Sequence, residues 1–379
     1  VNEAAEAMEE FVEPNARRAV WIEGRLDESL VERLRPEIAE LCRSSEPITV
    51  FLNSSGGRPE AKHEIVRLLR TPGTDGSHAT IITVAAREAG SAAANLLCAG
   101  DFAVAHSGSA LLWHGGRWPL SDLLEDGDSG LILARTLPTF REMAAAELAA
   151  NCARRFMAIV SAVRPLFASQ SENADPMQDV KSFQLILRGK LSEVGQKVLD
   201  RAIELDECFN GVLLQFQKRL RRGRVVTNAH LRKLMLHAAI EYESHSDDER
   251  WDGGLAKISD HFFALNSYFD FERLHEWIAT RTRFEAPHVE ADYELRFRQF
   301  FLSICRALQQ GENRLAPADA VWLGLIDSIR NGVMQERPRC PWCREPFASW
   351  VIAKQHTKNC AQSPRPRWKA ARKRRGISS

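Results

Sequence analysis

Between residues 18 and 118 the apolar positions change their period from one run to the next. AVWIEG (19–24), ITVFLN (48–53) and ATIITVAA (79–86) are nearly unbroken apolar runs rich in β-branched residues, the pattern of strands covered on both faces. FAVAH (102–106) and ALLWH (110–114) read as two shorter strands. Between the first two runs Leu30, Leu34, Ile38 and Leu41 recur at helical spacing over 28–43, where Pro36 predicts a kink or a break. Residues 59–70 are also helical, and Ser91–Leu97 open an alanine-rich helix. Strands alternating with helices predict an α/β domain with a mostly parallel sheet.

From 119 to 310 the strand signals almost vanish. Leu191, Val194, Val198, Leu205, Phe209, Val212, Phe216 and Leu220 form one long helical face, which ends in basic residues and Gly223. Thr227 or Asn228 can cap a following helix, and further helices fit 258–282 and 291–310. LAPADAVWLGLIDSIR (315–330) returns to a helix followed by a strand. The expected organisation is an N-terminal segment (1–17), the first part of an α/β domain (18–118), a large all-α insertion (119–310), a closing helix–strand unit (311–336), a small cysteine-bearing module (337–361) and a basic tail (362–379).

Composition changes this picture little and charge distribution more. The chain has 379 residues, enough for a sizeable core, and a net charge of +1. The last 19 residues hold seven Arg or Lys and no acid, which leaves 44 basic against 50 acidic residues elsewhere. Of eight cysteines, Cys42, Cys98, Cys152, Cys208 and Cys305 sit among apolar or helical residues, whereas Cys340, Cys343 and Cys360 cluster near a histidine. That distribution suits a reducing compartment rather than a disulfide framework. The acidic start lacks a secretory pattern and no run approaches a membrane span, so the expectation is a cytoplasmic protein with no membrane contact.

Against this background three segments carry candidate chemistry. A serine hydroxyl attacks a carbonyl only if a neutral imidazole takes its proton and N–H donors meet the oxyanion. In REAGSAAANLL the small residues permit a tight strand-to-helix turn with Ser91 at the helix start, where free N–H groups favour developing negative charge. Taken singly, Ser91 reads as a helix cap, His114 as a strand-end histidine and Gly56-Gly57 as a turn. Their order along alternating strands and helices joins a hydroxyl, a base and close-approaching backbone.

These segments resemble the proteolytic subunit of the Clp protease, a serine peptidase of the crotonase-like fold. FLNSSGG resembles the family's Asn-Ser-Pro-Gly-Gly strand end, with Ser55 where the proline stands. AGSAAANLLCAGD resembles the nucleophile helix, ALLWHGG the strand that carries the base, WIEGRLDESL the opening strand and helix, and APADAVWLGLIDSI the closing segment with Ala320, Gly324, Leu325 and Asp327. The likeness spans about 18–118 and 312–330. It implies a ClpP/crotonase-like α/β fold and an endopeptidase with Ser91 as nucleophile, His114 as base, and Gly57 and Ala92 as oxyanion donors. It also implies polypeptide substrates bound as added strands, a homo-oligomeric ring and an AAA+ unfoldase as partner. The family's third catalytic residue is an aspartate. Its position falls on Glu312, with Asn313 and an acid from the insertion as alternatives. The 197 residues between His114 and Glu312 occupy the place of the family's ring-stacking handle helix. A scaffold without activity, using its C-terminal region to bind nucleic acid or protein, and a crotonase-type acyl-CoA enzyme are the competing readings. The serine–histidine pair argues against the latter.

Cys340 and Cys343, then His356 and Cys360, have the spacing of a zinc finger with three cysteines and one histidine. Four protein ligands imply a structural Zn²⁺ rather than a catalytic one. Arg365, Arg367, Trp368, Lys369, Arg372, Lys373, Arg374 and Arg375 follow, suited to nucleic-acid phosphates and base stacking, or to a solvated tail. A peptide or adaptor is an equal candidate partner for the finger. His237, Glu241 and His245 share a helical face but read as solvated polar positions.

Overall fold

The structure is a computed structural model. It describes residues 13–73, 76–115, 127–167, 176–221 and 289–331, together with Cys343, His356, Thr357 and Cys360. The expected helix over 258–282, the Thr227/Asn228 cap, the His237–Glu241–His245 face, Cys340 and the basic tail lie outside the described residues.

The α/β class is observed. Strands β1 (Ala19–Leu26), β2 (Ile48–Gly57), β3 (Ile81–Gly90), β4 (Phe102–His106) and β7 (Ser328–Arg330) lie side by side in that order, each parallel to its neighbours. β5 (Ala110–His114) continues the sheet from the far end of β3, and β6 (Glu312–Leu315) pairs antiparallel with β5. β2 and β3 run beyond their apolar cores, through Ser54–Gly57 and Arg87–Gly90. The polar ends of both strands therefore belong to the sheet.

The strands read as continuous apolar runs because both faces are covered. Val20, Ile22, Val50 and Leu52 face one core, whereas Trp21, Phe51, Ile82, Val84 and Val104 face another. Trp21 and Phe51 stack there with ring centroids 4.2 Å apart. α1 (Glu28–Leu41) starts at an Asp27 cap, whose side chain accepts from Leu30 N. It continues past Pro36 without a break. Pro36 is exposed, so the Glu32 carbonyl that loses its intrahelical donor lies on the solvent side and can be hydrated.

Three helices from the expected insertion, α4 (Gly127–Val163), α5 (Pro176–Arg188) and α6 (Glu193–Arg221), and the helix that closes it, α7 (Val289–Leu308), join the same core as the sheet. Phe156 of α4 stacks on Phe301 of α7 at 4.3 Å, and Phe183 of α5 meets Phe156 edge-on at 5.6 Å. Each buried phenylalanine stabilises the fold by about 1.5–3 kcal/mol, so these helices are integral to the core. Polar groups stitch the layers. Asp319 of α8 (Pro317–Trp322) accepts from Ser192 N and Oγ at 2.7 and 2.5 Å, anchoring the start of α6.

A second clamp joins α2 (Pro59–Leu69) to α4. Lys62 Nζ reaches Glu147 Oε1 at 2.5 Å, and His63 Nε2 lies 3.2 Å from Glu147 Oε2. Burial pushes the Glu147 carboxyl up, but the His63 hydrogen bond and the Lys62 charge outweigh it and hold it at about 2. Because the folded value lies below the ordinary 4.5, the clamp contributes fully above that pH and its contribution is lost as pH falls towards 2. Lys62→Met is expected to cost about 2 kcal/mol at neutral pH. Its urea midpoint should converge on that of the wild type as pH drops from 5 to 2.5. A constant gap across that range would contradict the assignment.

Candidate active site

Ser91 stands between β3 and α3 (Ala92–Cys98), in a backbone conformation of φ 53°, ψ −121°. That is the first central position of a type II′ turn, which favours glycine. Among the described residues Ser91 is the one non-glycine with positive φ. Its side chain makes no capping hydrogen bond, so the plain reading as an N-cap serine does not hold. The turn is held from both sides. Ser91 N donates to Leu112 O of β5 at 2.8 Å, and Asn95 N closes onto Ser91 O at 3.2 Å. A sharp strand-to-helix turn that forces a serine into a strained conformation projects its hydroxyl out of the sheet.

The diglycine end of β2 is packed against this elbow. A Cβ on Gly56, at φ +107°, would lie 2.6 Å from both Gly90 O and Ser91 Cβ and 3.1 Å from Ala92 N. A Cβ on Gly90 would lie 2.8 Å from Ser55 O. Backbone thus approaches backbone, which only glycine allows. The approach sets the Gly56–Gly57 peptide beside Ala92 N, the pair expected as oxyanion donors. Ser54 Oγ, which accepts from Gly56 N at 3.1 Å, fixes the turn.

β5 carries His114. Its pleat sends Leu111 and Trp113 into the core and leaves Ala110, Leu112 and His114 on the more open face. Leu112 is the residue whose carbonyl holds Ser91, so His114 lies two residues further on the same face. His114 Nδ1 is 2.7 Å from Gly115 O. No hydrogen bond joins His114 to Ser91 in this ligand-free chain, a looseness common to sites that tighten on substrate.

β6 places the third candidates on opposite faces. Glu312 pairs directly with His114, and Asn313 with Trp113. Residues directly opposite in an antiparallel pair share a face, so Glu312 lies on the side of His114. Asn313 points into the core at 1% exposure, where its Nδ2 donates to Leu308 O and Gln310 O, both at 3.0 Å, and Arg201 donates to its Oδ1. Asn313 therefore secures the turn before β6 and does not face the histidine.

Sequence reasoning did not foresee the ion pair behind the site. Arg155 of α4 donates from Nε to Asp327 Oδ2 at 2.6 Å, and to Cys98 O and Gly100 O at 3.0 and 2.5 Å. It thereby fastens the C-terminus of the Ser91 helix to the closing segment. An arginine within a helix carries no mark of burial. Gly90 and Gly115 were likewise unassigned, although each adjoins a residue that was singled out.

Far along the chain, the Cys343 Sγ, His356 Nε2 and Cys360 Sγ ligand atoms lie within 4.8 Å of one another, with Cys343 Sγ 3.2 Å from His356 Nε2. Two thiols and an imidazole this close together form a donor set that could hold a metal ion. The four thiols Cys42, Cys98, Cys152 and Cys305 are buried and unpaired in disulfides. Among the described residues no helix is long and apolar enough to cross a membrane.

No protein-family model and no curated protein matches the chain. Among solved structures it is similar to ClpP1 from Listeria monocytogenes, with 21% identity and a TM-score of 0.28, over 36% of this chain and 74% of that one. An asparagine-to-aspartate mutant of that protein gives 21% identity and a TM-score of 0.30, over 36% and 73%.

Proposed function

We propose that this chain is a ClpP-like serine endopeptidase that acylates on Ser91. The observation that carries the reading is the strained, uncapped Ser91 elbow wedged against Gly56. A fold gains nothing in stability from that conformation, whereas a nucleophile gains exposure and a fixed direction. Ser91 Oγ attacks the scissile carbonyl as His114 takes its proton. The N–H groups of Gly57 and Ala92 receive the oxyanion, and His114 returns the proton to the leaving amine. Water then repeats the sequence on the acyl-enzyme. An extended substrate beside β5, a ring of identical subunits and an AAA+ unfoldase partner follow from the resemblance of the matched segments, and a cytoplasmic setting from the reduced-thiol pattern of the cysteines.

The test is a fluorophosphonate probe. Labelling of the wild type at the peptide containing Ser91, with none in Ser91→Ala, supports the proposal. Equal labelling of the two, or none of either across several oligomeric conditions, would sink it in favour of an inactive scaffold.

The C-terminal cluster supports a structural zinc held by Cys340, Cys343, His356 and Cys360. Zinc analysis of the purified chain should give about one equivalent, and Cys343→Ser should lose most of it. Retention of full zinc by that variant would refute these ligands. Nucleic acid remains the proposed partner of the tail from Arg365 to Arg375. Salt-dependent binding that survives deletion of 364–375 would exclude it.

A further inference from the structure

The orientation of His114 rests on a contact that leaves no side-chain signature. Its Nδ1 is 2.7 Å from Gly115 O, and this is its one hydrogen bond among the described residues. A carbonyl oxygen only accepts, so Nδ1 must carry the proton in the neutral ring. Nε2 is then the unprotonated nitrogen, the one a serine needs as its base. In a serine–histidine–acid triad this selection is made by the acid, which holds the imidazole in one tautomer and orientation. A backbone carbonyl makes the same selection.

The carbonyl is itself held in place. A Cβ on Gly115 would lie 2.3 Å from Gln309 O and 2.9 Å from Arg141 Nε. Gly115 is therefore wedged between the end of α7 and a side chain of α4. Arg201 of α6 tightens the same turn by donating to Gln310 O at 2.7 Å and to Asn313 Oδ1. Glu312 lies across the strand pair from His114 but does not hydrogen-bond to it. The place an orienting acid would take at Nδ1 is already filled by the Gly115 carbonyl.

We infer that Gly115, through its main-chain carbonyl, is the positioning residue of this site, and that the reaction runs on a Ser91–His114 dyad without an orienting acid. This rests on the peptidase reading above. The proton balance is that of the triad. His114 Nε2 accepts the Ser91 proton, the imidazolium keeps its Nδ1 proton on Gly115 O, and Nε2 returns a proton to the leaving amine.

The experiment combines two readouts on the full chain. Nitrogen NMR of selectively labelled histidine reports the His114 tautomer, with His114→Gln used for assignment, and fluorophosphonate labelling reports reactivity against pH. The neutral His114 ring should carry its proton on Nδ1, opposite to the Nε2–H preference of a free histidine side chain, in the wild type and in Glu312→Gln alike. Glu312→Gln should label within about 3-fold of the wild-type rate, with the same pH profile, far from the loss of about 10⁴-fold expected when a triad loses its orienting acid. Gly115→Ala, which must displace the carbonyl, should lose the Nδ1–H tautomer and slow labelling about 100-fold. Glu312→Gln and Gly115→Ala are each compared at a temperature where circular dichroism shows them folded.

A neutral ring protonated on Nε2 in the wild type, or a switch to Nε2–H in Glu312→Gln, overturns the inference. So does a loss approaching 10⁴-fold in Glu312→Gln with its tautomer unchanged. If the wild type does not label but keeps the Nδ1–H tautomer in both chains, the peptidase reading fails while the positioning role of Gly115 stands.

Discussion

Replacing Ser91 with glycine is expected to stabilise the protein and abolish its acylation together. At φ 53°, ψ −121° a Cβ is crowded by the neighbouring backbone, a strain of about 1–3 kcal/mol. Glycine adopts this conformation freely, although it raises the entropy of the unfolded chain by about 0.5–1 kcal/mol. The net gain should be about 1 kcal/mol, visible as a rise in Tm of about 2 °C. Ser91→Ala keeps its Cβ and so keeps the strain. It should melt with the wild type and be equally dead, because no hydroxyl remains and turnover should fall by about 10³-fold or more. A capping serine places the wild type differently, level with Ser91→Gly and about 1 kcal/mol above Ser91→Ala, because removing its hydroxyl costs stability in alanine and little in glycine. Differential scanning calorimetry of the three chains decides. Ser91→Gly melting at or below the wild type would remove the main physical argument for a nucleophile elbow.

Much of the sheet is legible in the chain because a strand buried on both faces must be apolar throughout. The cores of β2 and β3 are such runs, and both were placed correctly. What escaped is what the hydrophobic period does not encode. The Ser-Ser-Gly-Gly end of β2 looks like a loop, yet Gly56 and Gly57 pair with Arg25 and Leu26 of β1. ENRL gives four residues of alternation, too few to announce β6, and that strand exists because β5 and Arg201 hold it. Pro36 predicts a kink or a break, and the helix is unbroken there because the carbonyl left without a donor is exposed.

The site was legible where chemistry requires a side chain. Ser91, His114 and the diglycine stand out because a hydroxyl, an imidazole and bare backbone have few substitutes in acyl transfer. A carboxylate that could orient His114 is visible in a sequence, whereas a carbonyl is present at every position and marks none. Pleating then separated the rivals. One residue of register puts Glu312 beside His114 and Asn313 in the core, a distinction that no spacing argument could make.

Asp327→Ala should produce the largest loss of stability of any single change considered, about 3–5 kcal/mol. The Asp327 and Arg155 side chains are 2% and 3% exposed, and Asp327 also accepts from Ala103 N at 2.7 Å and from Arg154 at 3.2 Å. Truncation leaves a guanidinium buried without its counter-charge and a strand N–H without its acceptor, and the interior solvates neither. Arg155→Met removes the charge but strands the carboxylate less completely, because Arg154 and Ala103 N remain; about 2–3 kcal/mol is expected. The double variant should cost less than the sum of the two, since each single change is penalised mostly for the partner left behind. Urea unfolding should show the midpoint moving with little change in m. Additive losses in the double variant would mean that the pair is not a coupled unit. The consequence for the site follows from where Arg155 points. It also holds Cys98 O and Gly100 O at the end of α3, so the clamp that stabilises the closing segment is also the back support of the helix that begins at Ser91. Fluorophosphonate labelling of Asp327→Ala should therefore slow even at temperatures where the chain is folded, whereas Lys62→Met, whose clamp lies between α2 and α4, should label at the wild-type rate.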